Sequence, residues 1–278
     1  MKFSSKTALA ASLIIAISLL SFTACRKASD TEDTGYATDH ATLEKTFSDA
    51  QSITDEAGSD GSLTNYKVVG STNTILSSCA TVTNDTTVSP HKLTVDFGTS
   101  NCLCNDGVYR RGQIIVTYLG RYKDIGSTHT ITFNNYFQND NGVSGTKTVS
   151  YTTNDAAGNP VYNISVTGQI VLANSAGTIS WTSTRTRTWL SGYTTKSWSD
   201  DVYEISGNGT ITRANGKTFD MLITTPLHIA MDCRWIESGV VQITPSGATA
   251  RILDYGNGTC DAQANYTVNG KTYSVTLR

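Results

Sequence analysis

Thr267-Val268-Asn269-Gly270-Lys271-Thr272-Tyr273 decides the fold class. Asn-Gly set between β-type residues is the strongest short hairpin signal, because both central residues of a type I′ turn take positive φ. The same dipeptide recurs in β-type surroundings at Asn141-Gly142 and Asn215-Gly216, and Ser191-Gly192 is a similar candidate. Gly158-Asn159-Pro160 marks a longer turn between strands at 146–153 and 161–166. Thr supplies 44 of the 278 residues; it is β-branched and favours strands, while its hydroxyl suits a solvated sheet face. With four Pro and 23 Gly, the chain reads as long strands joined by tight turns. The expectation is an all-β chain: an antiparallel meander of about 12–14 strands, folded as a sandwich or a strongly curved sheet. It forms a single β domain over 62–278.

One helix precedes that domain, over 38–58. Leu43, Phe47, Ala50 and Ile53 fall on one stripe at helical spacing. Thr38 or Asp39 suits its start and Gly58 its end. It reads either as a partner-binding helix or as a helix capping one end of the sheet.

Residues 1–24 read as a signal peptide. Lys2 and Lys6 form its positive start, and the apolar run Ala8 to Leu20 falls short of the ~20 residues a membrane span needs. The segment ends Ser21-Phe22-Thr23-Ala24-Cys25. Small residues before a cysteine resemble a bacterial lipobox, in which the cysteine is diacylated and becomes the mature N-terminus. Phe22 stands where a lipobox usually has Leu, and Ala24 also suits an ordinary signal peptidase, which would leave Cys25 a plain thiol. Residues 25–37 are small, polar and charged and read as a flexible, lipid-anchored tether. Asp30, Glu32 and Asp33 resemble the acidic sorting signals of Bacteroidota surface lipoproteins. Arg26, rather than Asp, follows the cysteine, which implies the outer membrane. The whole chain is similar in style to the outer-membrane and surface lipoproteins of that group, a likeness that implies an address and a membrane contact through the lipid on Cys25 but no particular activity.

The chain also carries an internal repeat, about 75–120 and 229–278. Leu93-Thr94-Val95-Asp96-Phe97-Gly98-Thr99-Ser100-Asn101-Cys102 aligns with Arg251-Ile252-Leu253-Asp254-Tyr255-Gly256-Asn257-Gly258-Thr259-Cys260. In each, a cysteine follows an Asp-aromatic-Gly triplet by four residues, and another cysteine, Cys79 or Cys233, lies upstream. A smaller echo, Val143-Ser144-Gly145, Val166-Thr167-Gly168 and Ile205-Ser206-Gly207, sits where strands meet. With Cys25 acylated, five cysteines remain in an oxidising compartment. The repeat selects Cys79–Cys102 and Cys233–Cys260, each bridge worth ~2–4 kcal/mol in the chain-entropy picture. Cys104 then either keeps its thiol or replaces Cys102 as the partner of Cys79. Cys102-Leu103-Cys104 with His91 matches no common zinc spacing. No metal and no cofactor are expected.

Charge narrows the partners. Removing Lys2 and Lys6 from the 21 basic residues leaves 19 against 23 acidic ones, a net charge near −4, whereas nucleic-acid binding needs a basic face. His40, His91, His129 and His228 are scattered, and the chain has neither Gly-x-Ser-x-Gly nor His-Glu-x-x-His. A carboxylate pair for glycoside hydrolysis would come from Asp residues such as Asp200 and Asp201, but nothing in the sequence singles them out. Asp96 and Asp254, in the repeated triplet, read as turn-bonding residues.

The candidate binding face is Trp181, Arg185, Arg187 and Trp189, which alternate along one strand, with Trp198 brought opposite Arg185 and Asp200 opposite Ser183 by a two-residue turn at Ser191-Gly192. Such a face suits stacked sugars or an acidic polysaccharide. It also explains itself internally, through an Arg185–Trp198 cation–π pair and a cross-strand pair of arginine with Asp200. The expected role is a non-catalytic, lipid-anchored envelope protein that binds glycan or protein at the surface or supports envelope structure. A periplasm-facing carrier of a lipid-like ligand and a polysaccharide hydrolase are the alternatives.

Overall fold

In the computed structural model, which describes residues 27–59, 75–76, 79–195 and 199–277, one helix precedes fourteen strands. Helix α1 spans Lys27–Ser59. The strands begin with β1 (Thr81–Asp85), β2 (His91–Asp96), β3 (Cys102–Leu103), β4 (Tyr109–Leu119) and β5 (Thr128–Gln138). The longest follow: β6 (Asn141–Asn154), β7 (Pro160–Val171), β8 (Thr178–Ser191), β9 (Val202–Thr212) and β10 (Thr218–Ala230). The last four are β11 (Ser238–Pro245), β12 (Arg251–Asn257), β13 (Gln263–Val268) and β14 (Lys271–Thr276). From β4 onward each strand pairs antiparallel with the next, and only the two-residue β3 lies off the path. This is the meander implied by the turn spacing, built as one open sheet and not as a sandwich.

The turns follow local chemistry, with two corrections. Val268 pairs with Lys271, leaving Asn269 (φ 49°) and Gly270 (φ 75°) as the expected two-residue turn. Between β5 and β6 the turn is Asn139-Asp140 (φ 49° and 63°), two residues before Asn141-Gly142, because Gln138 pairs with Asn141. Asn and Asp tolerate that conformation. Here Asn139 Oδ1 accepts the Tyr109 N–H at 3.0 Å and Asp140 Oδ1 accepts from Asn101 Nδ2 at 3.1 Å, which fixes the register. Ser191-Gly192 does not close a two-residue hairpin. Gly192 (φ 84°) opens a local turn, with Thr195 N–H donating to its carbonyl, and the chain returns only at Val202.

Register shifts interrupt β4–β5, β5–β6, β6–β7, β8–β9, β9–β10, β10–β11 and β11–β12. Bulges of this kind bend strands and increase twist. Their consequence is visible at α1, which packs against β2, β4 and β5 on one flank, β8 in the middle and β13 on the other. Of residues 35–58, only Thr38 is exposed. A helix lying on a flat sheet keeps a solvated back, so the sheet curls around this one. The repeating inward residues are Tyr36, His40, Leu43, Phe47, Ala50, Thr54 and Ala57, all buried, with Ile53 beside them.

The helix therefore differs from both readings of it. It is an interior element, and it begins at Lys27, so 27–37 is helical and not a flexible tether. Burial of Tyr36 and Ala37 carries the apolar stripe two turns back from Leu43, past the expected start at Thr38 or Asp39. Residues 1–24, read above as a signal peptide, and Cys25 lie outside the described residues.

Candidate functional site

Asp39, Glu44 and Asp49 stand five residues apart on α1. At 3.6 residues per turn, successive members of such a series point roughly 140° apart around the helix. Each meets an arginine from a different part of the sheet. Arg213 Nε, after β9, donates to Asp39 at 2.6 Å; Arg185 Nη2 on β8 donates to Glu44 at 2.7 Å; Arg110 Nη2 on β4 lies 3.8 Å from Asp49. Gln138 Nε2 also donates to Asp49 at 2.9 Å, and Glu56 accepts the backbone N–H groups of Ile75 and Leu76 at 2.6 and 3.1 Å. The helix is gripped by charge on all sides as well as packed. Burial alone would raise the Glu44 carboxyl, but the Arg185 guanidinium overrides it and holds the acid below its usual range. Burial pushes His40, 3.7 Å from Glu44, down to about 4.

The expected β8 face is real as a row and wrong as a surface. Trp181, Arg185, Arg187 and Trp189 do share one side of the strand, and all four are buried. Trp181 packs on Phe47 of the helix with ring centroids 5.7 Å apart. Arg185 reaches Glu44, and the aromatic ring beneath its guanidinium is Trp181, at 5.6 Å. Across the backbone Arg185 pairs with Gly207 and Ser183 with Gly209, which is not the register that a two-residue turn at Ser191-Gly192 would set. Trp198 lies outside the described residues, and Asp200 accepts from Thr195 Oγ1 within its own loop. The reason is topological: alternation sorts residues into two faces, and α1 occupies the side these four share.

Beyond Arg185 the same face enters an aromatic cluster. The Arg187 guanidinium donates to the Tyr122 hydroxyl and lies 4.9 and 4.8 Å from the Tyr162 and Tyr203 ring centroids. Tyr162 stacks on Tyr151 at 4.8 Å and on Tyr122 at 5.2 Å, and Trp189 meets Tyr193 edge-on at 4.9 Å. Lys123 and Tyr193 clasp the two loops above it, the Tyr193 hydroxyl donating to the Lys123 carbonyl at 3.0 Å. Lys147, also inside, donates to the Phe47 carbonyl at 3.2 Å; burial and the neighbouring Arg187 push its ammonium down to about 8. Sequence reading missed this cluster, since its members come from five separate segments with no common spacing.

Both disulfides form as the repeat selects, Cys79–Cys102 and Cys233–Cys260. The triplet behaves identically at its two copies: Asp96 Oδ1 accepts the Gly98 N–H at 2.8 Å and Asp254 Oδ1 that of Gly256 at 2.9 Å, with Phe97 and Tyr255 buried. Cys104 stays outside both bridges, buried, with its sulfur 3.9 Å from the Cys102 carbonyl. Cys233, Glu237 and Cys260 lie close enough to suggest a metal site, but both sulfurs are committed to one disulfide and cannot serve as thiolates. His91 bonds the Val88 carbonyl at 2.9 Å and packs on Tyr118. The acids nearest to catalytic candidates have structural partners: Asp201 accepts from the Tyr203 hydroxyl at 3.0 Å, and Asp106 accepts from both terminal nitrogens of Arg110 at 2.8 and 2.7 Å. Comparison of the chain with protein-family models, curated proteins and solved structures finds no match.

Proposed function

We propose that this chain is a non-catalytic lipoprotein of the bacterial outer membrane, acylated at Cys25, that displays a rigid β body for binding at the cell surface. The observation that carries the reading is the path of α1. It starts two residues after Cys25 and runs into the middle of the sheet, where three ion pairs and the stripe from Tyr36 to Ala57 hold it. An anchor attached to such a helix pulls on the core of the fold, which suits a protein that stands at a membrane and holds something there.

The carrier alternative needs the inner face of the sheet for its ligand, and Leu43, Phe47, Ala50 and Ile53 fill that face. The hydrolase alternative needs two carboxylates across a cleft. Asp201 is instead engaged by Tyr203, and Asp200 by Thr195.

Two measurements on intact cells test the proposal. An alkyne-tagged fatty acid fed to the cells labels the wild-type chain, and Cys25→Ser abolishes the label and releases the protein from the membrane. Added protease digests the protein while a periplasmic control survives. A labelled chain that resists the protease contradicts surface display, and an unlabelled wild-type chain contradicts the anchor.

A further inference from the structure

The outward side of β5 to β9 is as uniform as the inward side is varied. Strand register sets Thr132, Thr146, Thr167, Thr182 and Thr210 in one row across five adjacent strands. The next row is Thr130, Thr148, Ser165, Thr184 and Asn208. A third runs in the same way from Thr128 to Ser206 through Ser150, Asn163 and Thr186. Every member is half-buried or exposed, and none is charged. Rows lie about 6.8 Å apart along the strands, and neighbours within a row about 4.8 Å apart.

Charged residues make up 16% of the chain, and these fifteen outward residues include none. Some hydroxyls satisfy each other: Thr128 Oγ1 and Ser150 Oγ are 3.1 Å apart, and Thr210 donates to Asp220 at 2.7 Å. Those of Thr146, Thr148, Thr167, Thr182 and Thr184 have no side-chain partner among the described residues and point to solvent.

We infer that this face binds a neutral polysaccharide, a step that rests on the surface-binding reading above and names its ligand class. A polyanion requires the lysines and arginines that the rows lack. A protein partner requires aromatic or arginine anchors at the centre of the contact, and the rows contain none. A neutral glycan offers what the rows offer, uncharged hydroxyls in a repeating array, and exchanges donors for acceptors along its length. Each contact is weak, and repetition along one chain supplies avidity. An ice surface has repeating hydroxyl chemistry too, but it is planar, and adjacent strands are rotated by about 20–25°. A flexible glycan follows that twist.

The test is cosedimentation of the full acylated chain, in detergent, with cross-linked dextran beads as the flexible neutral probe and carboxymethylated dextran beads as the charged one. The wild type sediments with the neutral probe. Thr148→Arg/Thr182→Arg, two non-adjacent outward positions, lowers that retention at least tenfold with an unchanged melting temperature; Thr182→Ser and Thr83→Arg on β1 leave it intact. The inference is overturned if the wild type does not sediment, if it prefers the carboxymethylated polymer, if the double variant binds like the wild type, or if the wild type restrains ice recrystallisation without sedimenting. The assay uses purified protein free of any membrane, so it fails independently of the anchor.

Discussion

The ring of Phe47 rests on the backbone of Gly168, where a Cβ would stand 2.7 Å from its Cε1 and 3.0 Å from its Cε2. This contact seats the middle of α1 on β7, between Trp181 on one side and Phe133 on the other. It also gives the Val-Thr-Gly echo of the sequence a physical meaning at one of its three copies: Gly168 leaves the room that the Phe47 ring of the helix fills.

Gly168→Ala pushes the ring off its seat. The expected cost is ~1–3 kcal/mol, the range for overpacking a filled core, while Phe47→Ala costs ~3–5 kcal/mol through the cavity it opens. Because the two sites touch, the double variant loses less than the sum. Urea denaturation midpoints of the three variants check this; additive losses would mean the two residues do not meet.

Glu44 and Arg185 form the central ion pair of the grip. Glu44→Gln leaves a buried guanidinium without its acid, and Arg185→Met leaves a buried acid without its base. Removing one partner of a buried pair costs ~3–5 kcal/mol, whereas replacing both is often close to neutral. The prediction is two destabilised single variants and a double variant that recovers most of the loss, read from thermal melts at neutral pH.

His40 and His129 set the response to mild acid. Burial pushes each down to about 4, below the ordinary value of 6.5. Between those values the unfolded chain binds protons that the folded chain refuses, so stability is present above pH 6.5 and declines as pH falls toward 4. Each histidine contributes up to ~1.4 kcal/mol per pH unit across that window. Denaturation at pH 7 and pH 5 should show the decline, and His40→Gln should shallow it. A flat profile from 7 to 5 would contradict the burial of both rings.

Cys233→Ser/Cys260→Ser opens the bridge at the C-terminal copy of the repeat. Its closed loop spans 27 residues of sequence separation, and the expected loss is ~3 kcal/mol. A melting temperature equal to that of the wild type would contradict a bridge formed in the native protein.

Much of the fold was legible because it is written in local chemistry. Asn269-Gly270 gave its hairpin, and the duplicated Asp-aromatic-Gly-x₃-Cys gave both disulfides. The stripe Leu43, Phe47, Ala50 and Ile53 gave the helix. What failed depended on long-range context. Period-two alternation groups Trp181, Arg185, Arg187 and Trp189 on one side of β8 but cannot tell which side is covered, and arginines ordinarily favour water. The element that covers them, α1, is rich in Asp, Glu, Thr and Ser, so nothing in its composition announces an interior position. Its acids are the missing signal: spacing of five among Asp39, Glu44 and Asp49 makes sense only when counter-charges surround the helix. Trp181→Ala and Trp189→Ala accordingly test the core, and a loss of stability of ~3–5 kcal/mol is expected of each.

Amide hydrogen exchange across residues 36–57 of the intact protein tests the central claim, that the helical segment ahead of the strands is an interior part of the β body. The account predicts exchange as slow as that of β6 to β8, through global unfolding only. Exchange of the helix within seconds while the strands stay protected would contradict it.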